Sequence, residues 1–284
     1  MVKPLRSVLV NPPGTSGWES SARAGEWRAL GYLHEPVPER ACHEHRLLRA
    51  ALESAGCEVR SLGDADGLTL DAVYVHDPSF VTDFGAICLR MGKRARHAEP
   101  NAQRTFYEAN GIPVLAVMEE PGSAEAGDIV WLDSGTLLVG RGYRTNAAGI
   151  EWLRTLLSPR GITVISAPLP HAGGPESCLH LMSLMSMLDE HTVLVDASLL
   201  AVETMELLRT RGYRFVEIEP SERVTLAANV LSLGSGRLLA LEENPLTNAR
   251  LRDAGFAVAA FPGAEIGING GGGPTCLTRP LLRH

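Results

Sequence analysis

The stretch N-G-G-G-G-P-T-C, residues 269–276, places one cysteine, Cys276, directly behind four consecutive glycines and a proline. Glycine serves where backbone must turn sharply or approach another group closely, and ordering it costs conformational entropy. The run therefore predicts a mobile flap or a tight approach, with Cys276 at its foot. A cysteine so placed is either a small buried hydrophobe or, beside groups that favour its anion, a reactive thiol. What else the fold brings there decides between the two. Polar residues recur at a similar distance after five glycines: Asp77 after Gly56, Glu125 and Asp128 after Gly111, His180 after Gly161, Asn229 after Gly212 and Cys276 after Gly255. Two carboxylates, a histidine and a cysteine in one register would meet wherever the five segments converge.

The elements that must position them repeat as well. A helical stretch, a glycine and an apolar run recur as L-E-S-A-G-C-E-V, Y-E-A-N-G-I-P-V, L-S-P-R-G-I-T-V, L-R-T-R-G-Y-R-F-V and L-R-D-A-G-F-A-V. A glycine after the last helical residue, followed by β-rich sequence, is the punctuation of helix, turn and strand. Each unit continues into a second strand with a hairpin partner, as in A-V-Y-V-H-D-P-S-F-V with F-G-A-I-C-L, and L-H-L-M-S-L with T-V-L-V-D-A. D-S-G and G-S-G supply two of the turns. Five units at a spacing of roughly fifty residues predict a radial α/β array of β-β-α-β modules. The fifth unit would take its last strand from R-S-V-L-V-N near the N-terminus, closing the ring.

Composition bounds the function. The chain has 284 residues, 45% hydrophobic and 21% charged, with a net charge of -7 and only the short basic run K-R-A-R at 93–96. These values suit a globular protein and argue against nucleic acid as a partner. No apolar run approaches a membrane span and no charged-then-apolar leader opens the chain, so the expectation is a cytoplasmic protein without a membrane partner. The five cysteines, at 42, 57, 88, 178 and 276, include no C-x-x-C pair, which points to neither a disulfide framework nor a zinc site.

Five motifs in order carry a resemblance: D-A-V-Y-V-H-D-P at 71–78, E-A-G-D at 125–128, G-R-G-Y-R-T-N at 140–146, C-L-H-L at 178–181 and G-G-G-P-T-C-L-T-R-P-L at 271–281. With them the chain resembles the guanidine-modifying enzymes of the pentein, or five-bladed α/β-propeller, superfamily: dimethylarginine dimethylaminohydrolase, arginine deiminase and the amidinotransferases. The resemblance implies a single catalytic domain over residues 1–284. It makes Cys276 the nucleophile, His180 the general acid and base, and Glu125 the carboxylate that orients the histidine. Asp77 would bind guanidinium nitrogens, with Asp128 and His76 beside the same pocket. Arg144 would grip the substrate α-carboxylate, Arg96 would be a second candidate for that task, and Asp71 would contact the amino-acid end.

That chemistry is self-consistent. A guanidinium carbon is a poor electrophile, so attack needs a thiolate and a carboxylate that holds the planar cation rigidly. The covalent thiouronium that results is hydrolysed to a ureido product with His180 moving the protons, and no metal or organic cofactor is required. The expected partner is a small guanidino molecule, and a homodimer is compatible with the reading. Two positions depart from the superfamily pattern. Arginine deiminases and amidinotransferases have H-x-D where this chain has His180-Leu181-Met182, and the apolar Met182 suits a methylated guanidine. Dimethylarginine enzymes have E-D where this chain has His76-Asp77, which favours arginine itself. The leading expectation is hydrolysis of an Nω-substituted arginine to citrulline and an amine. Arginine deiminase, an amidinotransferase and a non-catalytic binding protein follow in that order. Residues 14–34, rich in glycine and carrying Trp18 and Trp27, lack periodicity and are expected to form a lid over the axial mouth.

Overall fold

The computed structural model describes residues 1–20, 23, 25–177 and 179–284. Fifteen strands form five separate three-stranded sheets among these residues. One contains β15 (Arg279–Arg283), β1 (Leu5–Val10) and β2 (Glu58–Ser61) in that order. The next two contain β3 (Ser79–Thr82), β4 (Gly85–Cys88) and β5 (Val114–Val117), then β6 (Ile129–Asp133), β7 (Thr136–Arg141) and β8 (Thr163–Pro168). The last two contain β9 (Met185–Met187), β10 (Thr192–Val195) and β11 (Arg214–Glu217), then β12 (Leu231–Gly234), β13 (Arg237–Leu241) and β14 (Ala257–Phe261). In every sheet the first two strands are antiparallel and the third is parallel to the second.

A parallel third strand requires a crossover, and a helix supplies it each time. These are α2 (Pro38–Ser54), α3 (Glu99–Ala109), α4 (Ala147–Leu157), α5 (Val202–Thr210) and α6 (Pro245–Asp253). All five predicted pivot glycines end these crossovers with positive φ, from 69° at Gly111 to 97° at Gly255. The fold is thus the expected five-module propeller. Its closure differs in one respect. The N-terminal strand β1 is the central strand of its sheet, between β15 and β2, rather than the last.

The core lies between modules. Leu48 and Leu52 of α2 share one apolar cluster with Val8 of β1, Leu239 and Leu241 of β13 and Phe261 of β14, so each helix ties its own sheet to the next. Full burial of one such side chain contributes about 1.5–3 kcal/mol. The first strands of four of the sheets line a narrow cavity of about 30 Å³, at Val130, Met185, Leu231 and Pro280. That is room for a water molecule or two.

Two of the predicted first strands begin later than their apolar runs. Leu70–Val73 and Leu181–Ser183 are 3-10 turns, and the ladders start only at Ser79 and Met185. Beside these turns, His76 and His180 bond to neighbouring modules at Thr278 O and Glu125 Oε2.

Of the expected lid, Ser21, Ala22 and Ala24 lie outside the described residues. The remainder includes a short helix, α1 (Glu26–Leu30), and is packed down. Trp18 is buried and its indole N–H donates to Leu70 O at 3.0 Å. Leu33 N and His34 N donate to Asn269 O and Oδ1, both at 2.9 Å, and Val37 N donates to Glu265 Oε1 at 2.9 Å. The segment lacks periodicity because its side chains and backbone find partners in two loops and not in a ladder. Among the described residues no helix is long and apolar enough to cross a membrane.

Candidate active site

Just before its first strand, each module makes a turn around the axis, and hydrogen bonds join the five turns into a closed belt. His76 N donates to Cys276 O at 3.1 Å, and Ala126 N to Asp77 O at 2.8 Å. Leu181 N donates to Asp128 Oδ1 at 2.9 Å. Ser186 Oγ donates to Ala228 O at 2.7 Å and accepts from Val230 N at 3.2 Å. Thr275 N donates to Asn229 Oδ1 at 3.0 Å, which returns to the cysteine. The recurring polar residues of the sequence are members of this belt or immediate neighbours of it.

On one side of it His180 lies between two carboxylates. Its Nε2 is 2.8 Å from Glu125 Oε2, and its Nδ1 is 3.9 Å from Asp77 Oδ1. A carboxylate only accepts, so Nε2 carries the hydrogen and Nδ1 is the nitrogen that can take a proton. The other oxygen of Glu125 accepts from the backbone of Gly92 at 2.9 Å and of Lys93 at 3.1 Å. Burial would push the Glu125 carboxyl up. The hydrogen bond and charge of His180, then Arg96 and Arg144, outweigh it and hold Glu125 well below its ordinary value. The G of the E-A-G-D motif has a steric cause. A Cβ on Gly127 would run into the His180 ring and come within 2.9 Å of Asp77 Oδ1.

Cys276 is half-buried. Asn229 Nδ2 donates to its Sγ at 3.1 Å, a contact that favours the thiolate. Asn229 appears in the sequence as a member of the repeated polar set, but its amide role depends on the neighbouring module and is not legible there. The four glycines are explained by what leans on them. Tyr74 packs its ring on the loop so tightly that a Cβ on Gly272 would sit 2.5 Å from the ring and 3.0 Å from Cys276 Cβ, while Gly271 turns the chain at φ 83°. The loop is therefore a close approach rather than a free flap. Cys178, of the C-L-H-L motif, lies outside the described residues.

The other expected site residues divide. Asp71 is buried, with Oδ2 2.6 Å from Lys93 Nζ, and Arg144 is buried with no hydrogen-bond partner at Nε. Asp128 accepts from Thr145 Oγ1 at 2.6 Å and from Leu181 N. Burial pushes it up to about 6 against the pull of His180, and its role is to hold the turn after His180. Three other expected residues have partners within the protein. Arg96 grips Asp77 Oδ2 at 2.6 Å, both oxygens of Glu99 at 2.8 Å and Tyr74 O at 2.8 Å, so it is not offered to a substrate carboxylate. His76 turns toward the last strand. Its Nδ1 donates to Thr278 O at 2.8 Å and its Nε2 accepts from Arg279 at 2.7 Å. Met182 is packed in an apolar cluster with Val130, Leu138 and Met185, because the turn at Leu181–Ser183 directs it into the core.

Asp77, Glu125 and His180 each offer one donor atom within 4.8 Å of the others, a set that could hold a metal ion. Glu125 is already engaged through both oxygens, which leaves Asp77 Oδ1, buried and without a hydrogen-bond partner, as the open acceptor for a cation.

This geometry can be set beside known proteins. The arginine deiminase family profile matches residues 69–220 and 201–283. The chain belongs to the arginine deiminase family. Within it, the N(G),N(G)-dimethylarginine dimethylaminohydrolase of Streptomyces coelicolor is 33% identical over 205 residues, 72% of each chain. The arginine deiminase of Mycobacterium tuberculosis is 29% identical over 220 residues, 66% of this chain and 51% of that one. Among solved structures, the Pseudomonas aeruginosa dimethylarginine dimethylaminohydrolase in complex with citrulline superposes with a TM-score of 0.77 at 22% identity, over 97% of this chain and 99% of that one. The N-terminal domain of ArgZ, a cyanobacterial arginine dihydrolase bound to product, reaches 0.82 at 20% identity over 98% and 97%. These two likenesses are of fold, and they agree with the five-module ring.

Proposed function

We propose that this family member is a hydrolase of the guanidino group of arginine or an Nω-substituted arginine, producing citrulline and ammonia or an alkylamine. The observation that carries the reading is His180, hydrogen-bonded to Glu125 on one nitrogen and facing Asp77 with the other, in the same belt as Cys276. In this scheme the substrate guanidinium docks on Asp77 Oδ1, and its positive charge together with the Asn229 amide favours the Cys276 thiolate. Sulfur attacks the guanidinium carbon. His180, protonated at Nδ1, gives that proton to the departing nitrogen, which leaves as neutral amine. The S-alkylthiouronium that remains is attacked by water, whose proton returns to Nδ1. Collapse forms the ureido C=O and releases the thiolate. Glu125 fixes the ring and stabilises its charged form.

Because Met182 packs with Val130, Leu138 and Met185, we rest no preference for a methylated substrate on it, and arginine and its methylated forms share this reading. Cys42, Cys57 and Cys88 are free thiols, which suits a reducing, cytoplasmic setting. The test is a colorimetric citrulline assay on arginine and dimethylarginine in parallel, with Cys276→Ser as control. Citrulline from either, lost in the variant, is the expected result. No citrulline from either overturns the reading.

A further inference from the structure

We infer that a cavity between α3 and the ends of β4 and β5 binds a small organic anion, an acidic head on a short apolar body, at Arg90 and Arg104. The site is independent of the guanidino-hydrolase reading. The cavity measures about 240 Å³. Cys88 and Val117, the last residues of β4 and β5, line it, and the opening turns of α3 border it with Pro100, Asn101 and Arg104. Two parallel strands joined by a crossover helix leave a crevice at their carboxyl ends, which is where α/β sheets receive ligands.

Asp71, Asp77, Glu125, His180 and Cys276 take no part in the lining, so the cavity is a compartment apart from the candidate active site. The two share a wall. Gly92 N and Lys93 N donate to Glu125 Oε1 at 2.9 Å and 3.1 Å, and Arg96 donates to Asp77, whereas Arg90, Met91 and His97 of the same segment border the cavity.

The lining divides by chemistry. Leu89, Met91, Pro100 and Met118 are buried and make an apolar floor, with the 41% exposed Val117 at its edge. Cys88 joins the floor as a neutral thiol, since burial pushes it up to about 11 against the pull of Arg104. Arg90, His97 and Arg104 line the cavity and no carboxylate does, in a chain whose net charge is -7. The carboxylates that reach the two arginines stand outside. Arg90 Nη2 donates to Glu120, whose side chain is 77% exposed, and Arg104 Nε lies 3.9 Å from Glu108, whose side chain is 63% exposed. Exposed pairs of this kind are weak and yield to a ligand. Arg104 Nη2 donates to Asn101 Oδ1 at 2.8 Å, which sets the guanidinium, while its Nε is buried without a hydrogen-bond partner.

Charge and shape specify the occupant. A guanidinium offers a fixed fork of donors to a carboxylate or phosphate, and the floor adds affinity only for a ligand with a carbon body. At about 30 Å³ for each water the cavity has room for roughly eight, the volume of an acid with about ten non-hydrogen atoms.

The experiment measures by calorimetry the Kd of 4-bromobenzoate, of neutral 4-bromobenzyl alcohol and of inorganic phosphate. The unaltered protein is compared with Arg104→Met, Arg90→Met and Val117→Asp, each checked for folding by its melting temperature. The benzoate should bind with a Kd of about 1 mM or tighter, and the alcohol and inorganic phosphate about tenfold more weakly or worse. Each arginine variant should raise the Kd of the benzoate about tenfold. Val117→Asp, which brings a carboxylate to an exposed strand end, should do the same with both arginines in place. Bromine anomalous scattering from soaked crystals should place the ligand between α3 and β5. Absence of binding, affinity unchanged in the folded variants, or bromine in the candidate active site instead overturns the proposal. So does alcohol or inorganic phosphate bound as tightly as the benzoate.

Discussion

Arg96 donates to Asp77 across 2.6 Å inside the protein, so the carboxylate that faces His180 has one oxygen engaged and one oxygen open. A substrate guanidinium would meet a single acceptor whose orientation is set by a resident guanidinium. Arg96 is in turn held by Glu99 and Tyr74, which makes a buried chain of charge running from α3 to the site.

Arg96→Met should therefore alter pH dependence as well as stability. Burial pushes the Asp77 carboxyl up, while His180 and then Arg96 outweigh it and hold the group below its ordinary value. With Arg96 gone, burial is less opposed and Asp77 takes up its proton at higher pH. The acid limb of kcat/KM should move to higher pH, and breaking the buried pair should cost about 3–5 kcal/mol in urea denaturation. Arg96→Lys should fall between. A folded variant with an unmoved acid limb would separate Arg96 from Asp77's ionisation.

Asn229→Ala should slow alkylation of Cys276. Loss of the 3.1 Å amide donor raises the thiol's affinity for its proton, so the iodoacetamide rate at neutral pH should drop several-fold and its pH profile shift upward. In the unaltered protein Cys276 should be labelled ahead of Cys57 and Cys88, both of which burial pushes up to about 11, and ahead of Cys42, raised by burial and then by Glu19. Peptide mapping of the labelled protein reads both outcomes.

His76 should make the fold acid-sensitive. Burial, then the charge of Arg279, lowers it from 6.5 to about 3, so it is neutral in the folded protein and protonates readily once unfolded. Its contribution is present above about pH 6.5 and is lost as pH falls toward 3, with a slope approaching 1.4 kcal/mol per pH unit. His76→Gln should flatten that part of the stability curve, measured as urea midpoints from pH 7 to pH 4. An unchanged slope would place the acid sensitivity elsewhere.

Met182→Asp should destabilise without changing substrate preference. A carboxylate among Val130, Leu138 and Met185 is left unpaired in an apolar cluster, at a cost of several kcal/mol. The melting temperature should fall sharply, while the ratio of kcat/KM for arginine and dimethylarginine in the surviving folded protein stays within about twofold. A shifted ratio would return Met182 to the site.

The contrast among these residues marks what a sequence can disclose. Gly56 and its four counterparts were legible because a positive-φ glycine after a helix is a local requirement. Asp77, Glu125, His180 and Cys276 were legible because the repeat gives them one register, and the register becomes proximity when the modules close into a ring. The partners of Arg96 and His76 were not legible for a physical reason. A charged or aromatic side chain chooses its partner across the fold, and Glu99 and Arg279 compete for them at positions no local pattern reveals. Met182 differs from an inward-facing residue only through the 3-10 turn that tips it into the core.

Among the described residues, the sheet β15-β1-β2 is the only one of the five built from segments far apart along the chain. Cys276 lies three residues before β15, so the proposed nucleophile reaches its neighbours only when β15 pairs with β1, a contact of very high sequence separation. During synthesis, the modules carrying Asp77, Glu125 and His180 can form beforehand while the thiol is still missing from the ring. Under the proposed mechanism, chemistry therefore switches on with this long-range closure. On the proposed mechanism, a chain interrupted before that point carries Asp77, Glu125 and His180 and is expected to be inert.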